Sequence, residues 1–304
     1  MRIKLILFLV TANLIFSFSG STYRYGFSAR SHSLANALVA DNYMTFQSFY
    51  NPSSLNKSAG QNFGISYFRM SLDRSIQSFY YSRSLPGNAG LSLSILRAGV
   101  DNFMGKDSFN NPTNELSLTD YYGIMSFGLK GIGISIKMHY SNLNVNETHV
   151  DKYTGNSIVL DFGWSHTFNN NLRLGFKLEN LINSYLSWDI NIGDGLSHAY
   201  QEDYPLIASF GSSYKLGKSH LLLFHYEQIN YNGNYHLKSR LGYEFVSNNN
   251  YMMRLGIVGK DEIRLGFGYN FFINDKFPII MDYSLDLGFK SEGISHLITW
   301  RYSF

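Results

Sequence analysis

The sequence predicts an all-β protein, a transmembrane antiparallel up-and-down β-barrel of about 14 strands. Three observations support this fold class: long strands in which apolar and polar residues alternate, connections whose lengths alternate between short and long, and an N-terminus typical of exported proteins. The composition agrees, because 15% of the 304 residues are charged and 16% are aromatic. A soluble domain usually carries roughly 25% charged residues.

The N-terminus has the order of features found in secretory signal peptides. Arg2 and Lys4 precede an apolar stretch over residues 5–16, and mostly small residues follow at 17–21. This order predicts a signal peptide over residues 1–20. The apolar stretch is shorter than the ~20 residues of a membrane-spanning helix. We therefore expect export without a helical anchor.

The remaining chain reads as a series of alternating strands. In residues 172–179 the even positions are apolar, and the odd positions hold Arg173, Gly175, Lys177 and Glu179. Such a strand gives a sheet one apolar and one polar face. A soluble sandwich would turn its apolar face inward, whereas an outer-membrane barrel would turn it toward lipid.

Strand length favours the barrel. Most of the predicted strands reach the ~9–11 residues that a membrane strand needs, and sandwich strands average roughly five or six. The predicted strands cover residues 62–70, 74–84, 88–98, 121–130, 132–144, 155–168, 171–182, 205–215, 219–229, 236–246, 251–258, 262–272, 278–289 and 294–304.

The lengths of the connections between strands follow a pattern along the chain. The connections after even-numbered strands are short, and the long ones, residues 99–120, 145–154 and 183–204, follow odd-numbered strands. Bacterial barrels have short periplasmic turns and longer extracellular loops. The sequence therefore predicts an outer-membrane location, with both termini periplasmic and the long loops outside.

The last strand ends in an alternating aromatic row. Trp300, Tyr302 and Phe304 share one face of that strand, and Phe304 is the last residue. A terminal aromatic in an alternating strand resembles the signal read by the barrel-assembly machinery. We therefore expect that machinery and outer-membrane lipid as partners, with these three residues as the assembly signal.

Residues 21–60 lack the strand pattern. Residues 34–40 suggest one or two helical turns, and residues 51–55 read as a turn before the first strand. Because a fourteen-stranded barrel has a lumen wide enough to need filling, we predict that residues 21–60 form a lumen or plug segment. Residues 61–304 then form the barrel. The alternative is an unordered periplasmic tail.

Chemical motifs are weak throughout. The absence of Cys excludes disulfides, thiol catalysis and Cys-based zinc sites. The nine His residues are scattered, and no G-x-S-x-G nucleophile motif occurs. A net charge of +3 without a basic cluster argues against nucleic acid as a partner. We expect a non-enzymatic protein without a metal or other cofactor.

The predicted lumen face carries charges of both signs. Such charges must pair, meet water or contact the N-terminal segment. A conduit for hydrophobic molecules would offer a long apolar pocket instead, so the charges favour a filled scaffold. The inward set includes Lys137, Asp161, Arg173, Lys177, Glu179, Lys215, Lys238, Arg240, Glu244, Arg264 and Arg301.

The N-terminal segment also carries a family resemblance. Ala29-Arg30-Ser31, the run over residues 34–42 and Asn51-Pro52-Ser53-Ser54-Leu55 together resemble the N-terminal signature of the PorV/PorQ family of outer-membrane β-barrels. That family belongs to the FadL-type transporter superfamily. The motif residues are Arg30, Asp41, Asn51, Pro52 and Leu55. Further similar stretches are residues 172–183, 205–216, 254–271 and 282–304.

The resemblance implies a fourteen-stranded barrel and two possible roles. PorV-type members serve type IX secretion, where they shuttle cargo proteins beside the translocon, and FadL-type members pass hydrophobic molecules. We therefore expect a component of protein secretion or surface attachment, with secreted cargo proteins or secretion-system components as partners. The alternative is passive FadL-like transport of small hydrophobic molecules across the outer membrane.

Overall fold

The computed structural model describes residues 20–42, 46–57, 60–106, 109–145, 150–182, 184–192, 199–247, 250–259, 262–273, 277–287 and 293–304. The predicted signal peptide, apart from Gly20, lies outside the described residues.

Short helices occupy the start of the described chain. Two are 3₁₀ helices, Ser21–Tyr25 and Pro52–Lys57, and two are α-helices, α1 (Ala29–Ser33) and α2 (Gln47–Tyr50). No helix in the described part of the chain is both long and apolar enough to cross a membrane.

The helical turns predicted over residues 34–40 lie earlier in the structure, in α1. The Ser28 side chain caps α1 and forms a capping box with Ser31. Ala35 and Asn36 then adopt left-handed backbone conformations, with φ of 55° and 57°. Because that conformation cannot continue a right-handed helix, the apolar run after Ser33 is irregular.

Sixteen strands occur in the described residues. They are β1 (Gln61–Arg69), β2 (Arg74–Leu85), β3 (Ala89–Lys106), β4 (Pro112–Leu129), β5 (Ile132–Val145), β6 (Val150–Thr167), β7 (Leu172–Leu181), β8 (Tyr185–Ile192), β9 (Ala199–Asp203), β10 (Leu206–Leu216), β11 (His220–Tyr231), β12 (Asn234–Val246), β13 (Tyr251–Val258), β14 (Glu262–Ile273), β15 (Phe277–Asp286) and β16 (Ser295–Ser303).

Fourteen of these strands, β1–β7 and β10–β16, close into one antiparallel barrel. Neighbouring strands pair in chain order, β7 pairs with β10, and β1 pairs with β16 to complete the ring. Closure leaves no open sheet edge, which a membrane-spanning sheet requires. The predicted fold class and strand number are thus confirmed.

Strands β8 and β9 belong to a connection that the sequence predicted to be a loop. They form a hairpin that pairs with the far end of β6, from Asn156 to Val150. The predicted loop over residues 99–120 is also largely strand, because β3 continues to Lys106 and β4 begins at Pro112. In the extension of β3, Phe103 and Met104 are adjacent apolar residues, and the β3–β4 register shifts on either side of them. The sequence therefore loses the alternation that marks a strand.

The barrel is apolar outside and polar inside. On β3, for example, the Leu93 side chain is 43% exposed while neighbouring Ser92 is 1% exposed. The same assignment of faces holds on β7, where Arg173, Lys177 and Glu179 are buried. Burying the polar face of a sheet is stable only when lipid covers the apolar face. This arrangement selects the membrane barrel over the soluble sandwich.

The two ends of the barrel differ. We name the end with the β2–β3 and β4–β5 connections the turn end, and the opposite end, which carries the β8–β9 hairpin, the loop end. The turn after β4 contains Lys130 and Gly131, both with positive φ, as two-residue hairpin turns require.

A charge placed on the outer face tests this orientation of the strands. We expect Leu93→Arg to lower the free energy of unfolding from lipid vesicles by about 2–4 kcal/mol, since Arg would face hydrocarbon. Thr113→Arg, at an exposed position of the loop end, should change it by less than about 0.5 kcal/mol. Denaturant titration of vesicle-refolded protein measures both. Equal effects would contradict a lipid-facing Leu93.

Candidate functional site

The described part of residues 24–57, here called the N-terminal segment, lies against the inner wall of the barrel. Helix α1 packs against β13–β16, and the second 3₁₀ helix packs against β2–β6 on another part of the ring. Leu34, Leu38 and Leu55 are at most 2% exposed. The segment therefore fills the lumen between these walls.

Glycines on the inner wall make room for this segment. At eight of them an added Cβ would lie less than 3.0 Å from an atom of residues 33–55. Each of the eight lies on a different strand, so the segment approaches the backbone of the wall around much of the ring, at five of the glycines with its own backbone. The eight are Gly90, Gly128, Gly133, Gly163, Gly175, Gly211, Gly256 and Gly266.

Arg30 and Asp41, two residues of the family motif, join a chain of buried ion pairs. Arg30 contacts Asp41 Oδ2 at 2.6 Å and donates two hydrogen bonds of 2.9 Å to Glu244. The chain continues from Glu244 to Arg254, then to Asp282 at 2.8 Å and to Arg301 at 2.6 Å. Three arginines therefore balance three carboxylates, and the segment is tied to β12, β13, β15 and β16.

The other three motif residues hold the second half of the segment. Asn51 donates hydrogen bonds from its amide to the carbonyl oxygens of Val39, at 2.7 Å, and Trp164, at 3.1 Å. Pro52 occupies the space left by Gly133, and Leu55 packs beside Gly90. All three are buried. The motif residues thus position the chain rather than face an open site.

Most of the predicted inward charges are buried and paired. Nine of the eleven are buried; Lys238 is half-buried, and Lys215 is exposed near the turn end, because β10 ends at Leu216. Glu227 of β11, which the sequence analysis did not select, forms ion pairs with Arg24 and Arg240. A second cluster joins Lys137 and Lys177 to Asp161 and Glu179.

The predicted assembly signal lies on the outer face of β16. Trp300 is 44% and Phe304 53% exposed, and Tyr302 is half-buried on the same face. The backbone of Phe304 exchanges two hydrogen bonds with Gln61, which extends the β1–β16 closure. A role for these aromatics in assembly stays a prediction.

The wall of the barrel has a gap beside β6. Leu160 pairs with Leu181 of β7, and Asn156 pairs with Ser187 of β8. On that side, Ser157, Ile158 and Val159 have no strand partner among the described residues. Tyr121 and Tyr140, whose rings pair across β4 and β5, line a cavity at this gap.

A sharp corner at the end of β7 produces this gap. Asn180 and Ile182 have φ of 61° and 70°, and a β-branched residue such as Ile182 is strained in that region. Asp161 is skipped in the β6–β7 ladder, and its carboxylate accepts the backbone N–H of Asn180 at 3.0 Å. Lys137 in turn contacts both Asp161 and Asn180. The polar cluster of the lumen therefore holds the corner in place.

An open cavity of about 890 Å³, here called the wall cavity, occupies this gap. Residues 156–160 of β6 all line it. Because successive strand residues point to opposite faces, the lining includes residues of both the inner and the outer face of the wall. Most of its other lining is apolar and includes Ile136, Met138, Leu181 and Ile182.

One polar group of the cavity is the imidazole of His139. Its Nε2 lies 3.2 Å from Asp120 Oδ1, and its Nδ1 contacts the Tyr204 hydroxyl. The ring stacks on Tyr122 with centroids 4.1 Å apart. Sequence reasoning noted His139 only as a scattered histidine, because its partners come from β4 and from the residue after β9.

The lumen also contains a small cavity beside the N-terminal segment. It lies between that segment and β7, β10, β11 and β12 and measures about 30 Å³, room for an ordered water molecule. Among the described residues, no group of three or more His, Asp or Glu side chains could hold a metal ion.

Comparison with solved structures finds the fold of this barrel in solved toluene transporters. The Pseudomonas putida toluene transporter TodX superposes with a TM-score of 0.66 at 11% identity, over 92% of this chain and 99% of TodX. The Ralstonia pickettii toluene transporter TbuX gives 0.63 at 12%, over 93% and 99%. A Pseudomonas aeruginosa FadL homologue gives 0.58 at 10%, over 91% and 98%.

The chain therefore has the FadL-type barrel fold, and its solved neighbours are transporters and channels rather than enzymes. No family model and no curated protein sequence matches it significantly. Membership of the PorV/PorQ family stays a prediction.

Adding a methyl group at the inner wall tests how closely the N-terminal segment packs against that wall. In Gly256→Ala the new Cβ would meet the backbone of residues 33–35. We expect a loss of about 1–3 kcal/mol in stability and faster tryptic cleavage after buried Arg30. Gly123→Ala is the control, since its Cβ would meet nothing within 4 Å. Unchanged cleavage in Gly256→Ala would contradict the close packing.

Buried His32 of α1 gives the segment a dependence on pH. Its Nδ1 lies 3.0 Å from Ser284 Oγ and its Nε2 lies 3.2 Å from Asp286. Burial lowers the pKa of His32 from 6.5 to about 4, although Asp286 opposes the shift. The unfolded chain therefore binds more protons between these two pH values, so stability falls as pH drops through that window.

We expect the stability advantage of the wild type over His32→Asn, which cannot titrate, to shrink by about 2 kcal/mol between pH 7 and pH 5. Denaturant unfolding of both proteins at the two pH values measures this difference. A difference that stays constant would show that His32 does not titrate with a lowered pKa.

Proposed function

We propose that this chain is a non-enzymatic outer-membrane transporter that passes small hydrophobic molecules, and that the wall cavity is part of their route. The observation that carries the proposal is an open, mostly apolar cavity at a break in the wall of a FadL-type barrel. Its volume of about 890 Å³ falls in the range of roughly 300–1,000 Å³ typical of small-molecule sites.

The chemistry of the two ends of the cavity suggests a direction of movement. Its inner side adjoins the lumen, and its outer side opens at exposed apolar residues such as Ile158 and Ile182, which are 73% and 78% exposed. A hydrophobic molecule gains free energy when it leaves water for an apolar environment. It would therefore pass sideways into the membrane rather than along the lumen.

The N-terminal segment supports a sideways route because it acts as a plug in this proposal. Its buried ion pairs and glycine contacts occupy the lumen across the ring. In the sequence analysis the charged lumen favoured a filled scaffold. In this proposal the same charges hold the plug and the β7 corner in place, and the apolar path lies in the wall.

The solved neighbours also support transport over secretion. TodX and TbuX are toluene transporters, and their barrels share this fold over nearly their whole length. The secretion role implied by the PorV/PorQ resemblance gains no support from these neighbours. We place the loop end outside the cell, with Trp300, Tyr302 and Phe304 as the signal to the barrel-assembly machinery.

Filling the wall cavity tests the route. Gly123 lies on the outer face of β4 opposite Met138, and its Cβ in Gly123→Phe would meet nothing within 4 Å. The phenyl ring would therefore cover the outer side of the cavity that Gly123 lines. We expect uptake of radiolabelled p-xylene by cells carrying this variant to fall by about tenfold, because the ring takes the space of the ligand. Leu93→Phe, an outward enlargement away from the cavity, should transport normally.

Heat-modifiable migration of each variant would show that its barrel has assembled. Normal uptake by an assembled Gly123→Phe barrel would show that the wall cavity is not part of the transport route. Wild-type uptake no greater than that of cells lacking the protein would overturn the transport proposal. Recovery of secreted proteins with the wild-type barrel in that case would favour the secretion role.

A further inference from the structure

The wall cavity contains one buried hydroxyl that the protein does not use. Ser157 Oγ is buried and has no hydrogen-bond partner among the described residues, and Ser157 is 9% exposed. Ser157 lies directly opposite His139 in the β5–β6 ladder and lines the cavity with it.

The other buried polar groups of the cavity already have partners. Both ring nitrogens of His139 are engaged, by Asp120 and by Tyr204. The hydroxyl of Ser184 donates to backbone carbonyl oxygens of the β7 corner, the nearer at 2.7 Å. Ser157 is therefore the buried side chain of this lining that, among the described residues, has a hydrogen bond left to give a ligand.

An unpaired hydroxyl in an apolar surrounding is costly, and an alanine at the same position would avoid the cost. A bound molecule with one oxygen atom would satisfy Ser157 and bury its own apolar body against Val159, which lines the cavity on the same face of β6. The hydroxyl can donate or accept, so an alcohol, a phenol or a ketone would each fit.

The charges around the cavity favour a neutral ligand. The carboxylate of Asp120 lies beyond His139 and would repel an anion. The ammonium of Lys137, two residues before His139, is held by Asp161 at 2.8 Å and by Asn180 at 3.1 Å. No cation is thus left at Ser157 to balance a carboxylate, as far as the described residues extend.

We propose that the wall cavity binds hydrophobic molecules that carry one neutral oxygen group, with Ser157 Oγ as their hydrogen-bond partner. This inference rests on the proposed function, since it names the substrate class of the same cavity. It adds a polar requirement that a passage for pure hydrocarbons would not need.

Two ligands of nearly the same shape test the inference. p-Cresol and p-xylene differ by a hydroxyl in place of a methyl group, so the ratio of their dissociation constants isolates the polar contact. The measurement uses the purified full-length protein in detergent and isothermal titration calorimetry. In Ser157→Ala we expect the preference for p-cresol to fall by about three- to tenfold, the size of one hydrogen bond.

Ser94→Ala is the matched control. Ser94 is also buried without a hydrogen-bond partner in the described part of the chain, but it lies on the inner face of β3, away from the wall cavity. Its substitution should leave the p-cresol to p-xylene ratio unchanged. A ratio that changes equally in both variants would overturn the inference, since the effect would not come from the cavity.

The remaining outcomes separate this inference from the transport proposal. If p-xylene binds, Gly123→Phe abolishes its binding and Ser157→Ala leaves the ratio unchanged, the inference fails and the transport proposal stands. If the wild type binds neither ligand and takes up no p-xylene, both fail. Binding of p-toluate more tightly than p-cresol would overturn the preference for a neutral group.

Discussion

The interior of this protein depends on the close approach of the N-terminal segment to the backbone of the barrel wall. Eight inward glycines on eight strands allow this approach, because a Cβ at any of them would collide with residues 33–55. Close packing of this kind tolerates little added volume. The wall therefore allows only one path of the N-terminal segment along it. That path fixes the position of every motif residue.

The buried charges complete the fit. Arg30 links Asp41 of the segment to Glu244 of the wall, and Arg254, Asp282 and Arg301 extend the link with alternating sign. A balanced, hydrogen-bonded network adds little net stability, but removing one member leaves a buried charge unpaired at a cost of roughly 3–5 kcal/mol. Such a network therefore specifies where the segment lies more than it strengthens the barrel.

The same polar lumen shapes the wall. Asp161 leaves the β6–β7 ladder to accept the N–H of Asn180, and Lys137 and Lys177 hold its carboxylate. The resulting corner places Ile182 in a strained conformation and opens an apolar cavity. Backbone strain of this kind persists only where the surroundings enforce it. The charged interior and the hydrophobic cavity are thus two parts of one structure, although charge in the lumen first argued against a hydrophobic route.

The sequence by itself determined the strand pattern, the barrel and its fourteen strands, because alternation with a period of two and the lengths of turns are local properties of the chain. It also identified Arg30, Asp41 and Asn51 as residues of one motif, because of the order in which they occur along the chain. Only the tertiary structure decided what these residues touch, that β8 and β9 pair beside β6, and that a cavity opens at Ser157. Those features depend on contacts between residues such as Asp161 and Asn180, or His139 and Tyr204, which come together only when the barrel closes.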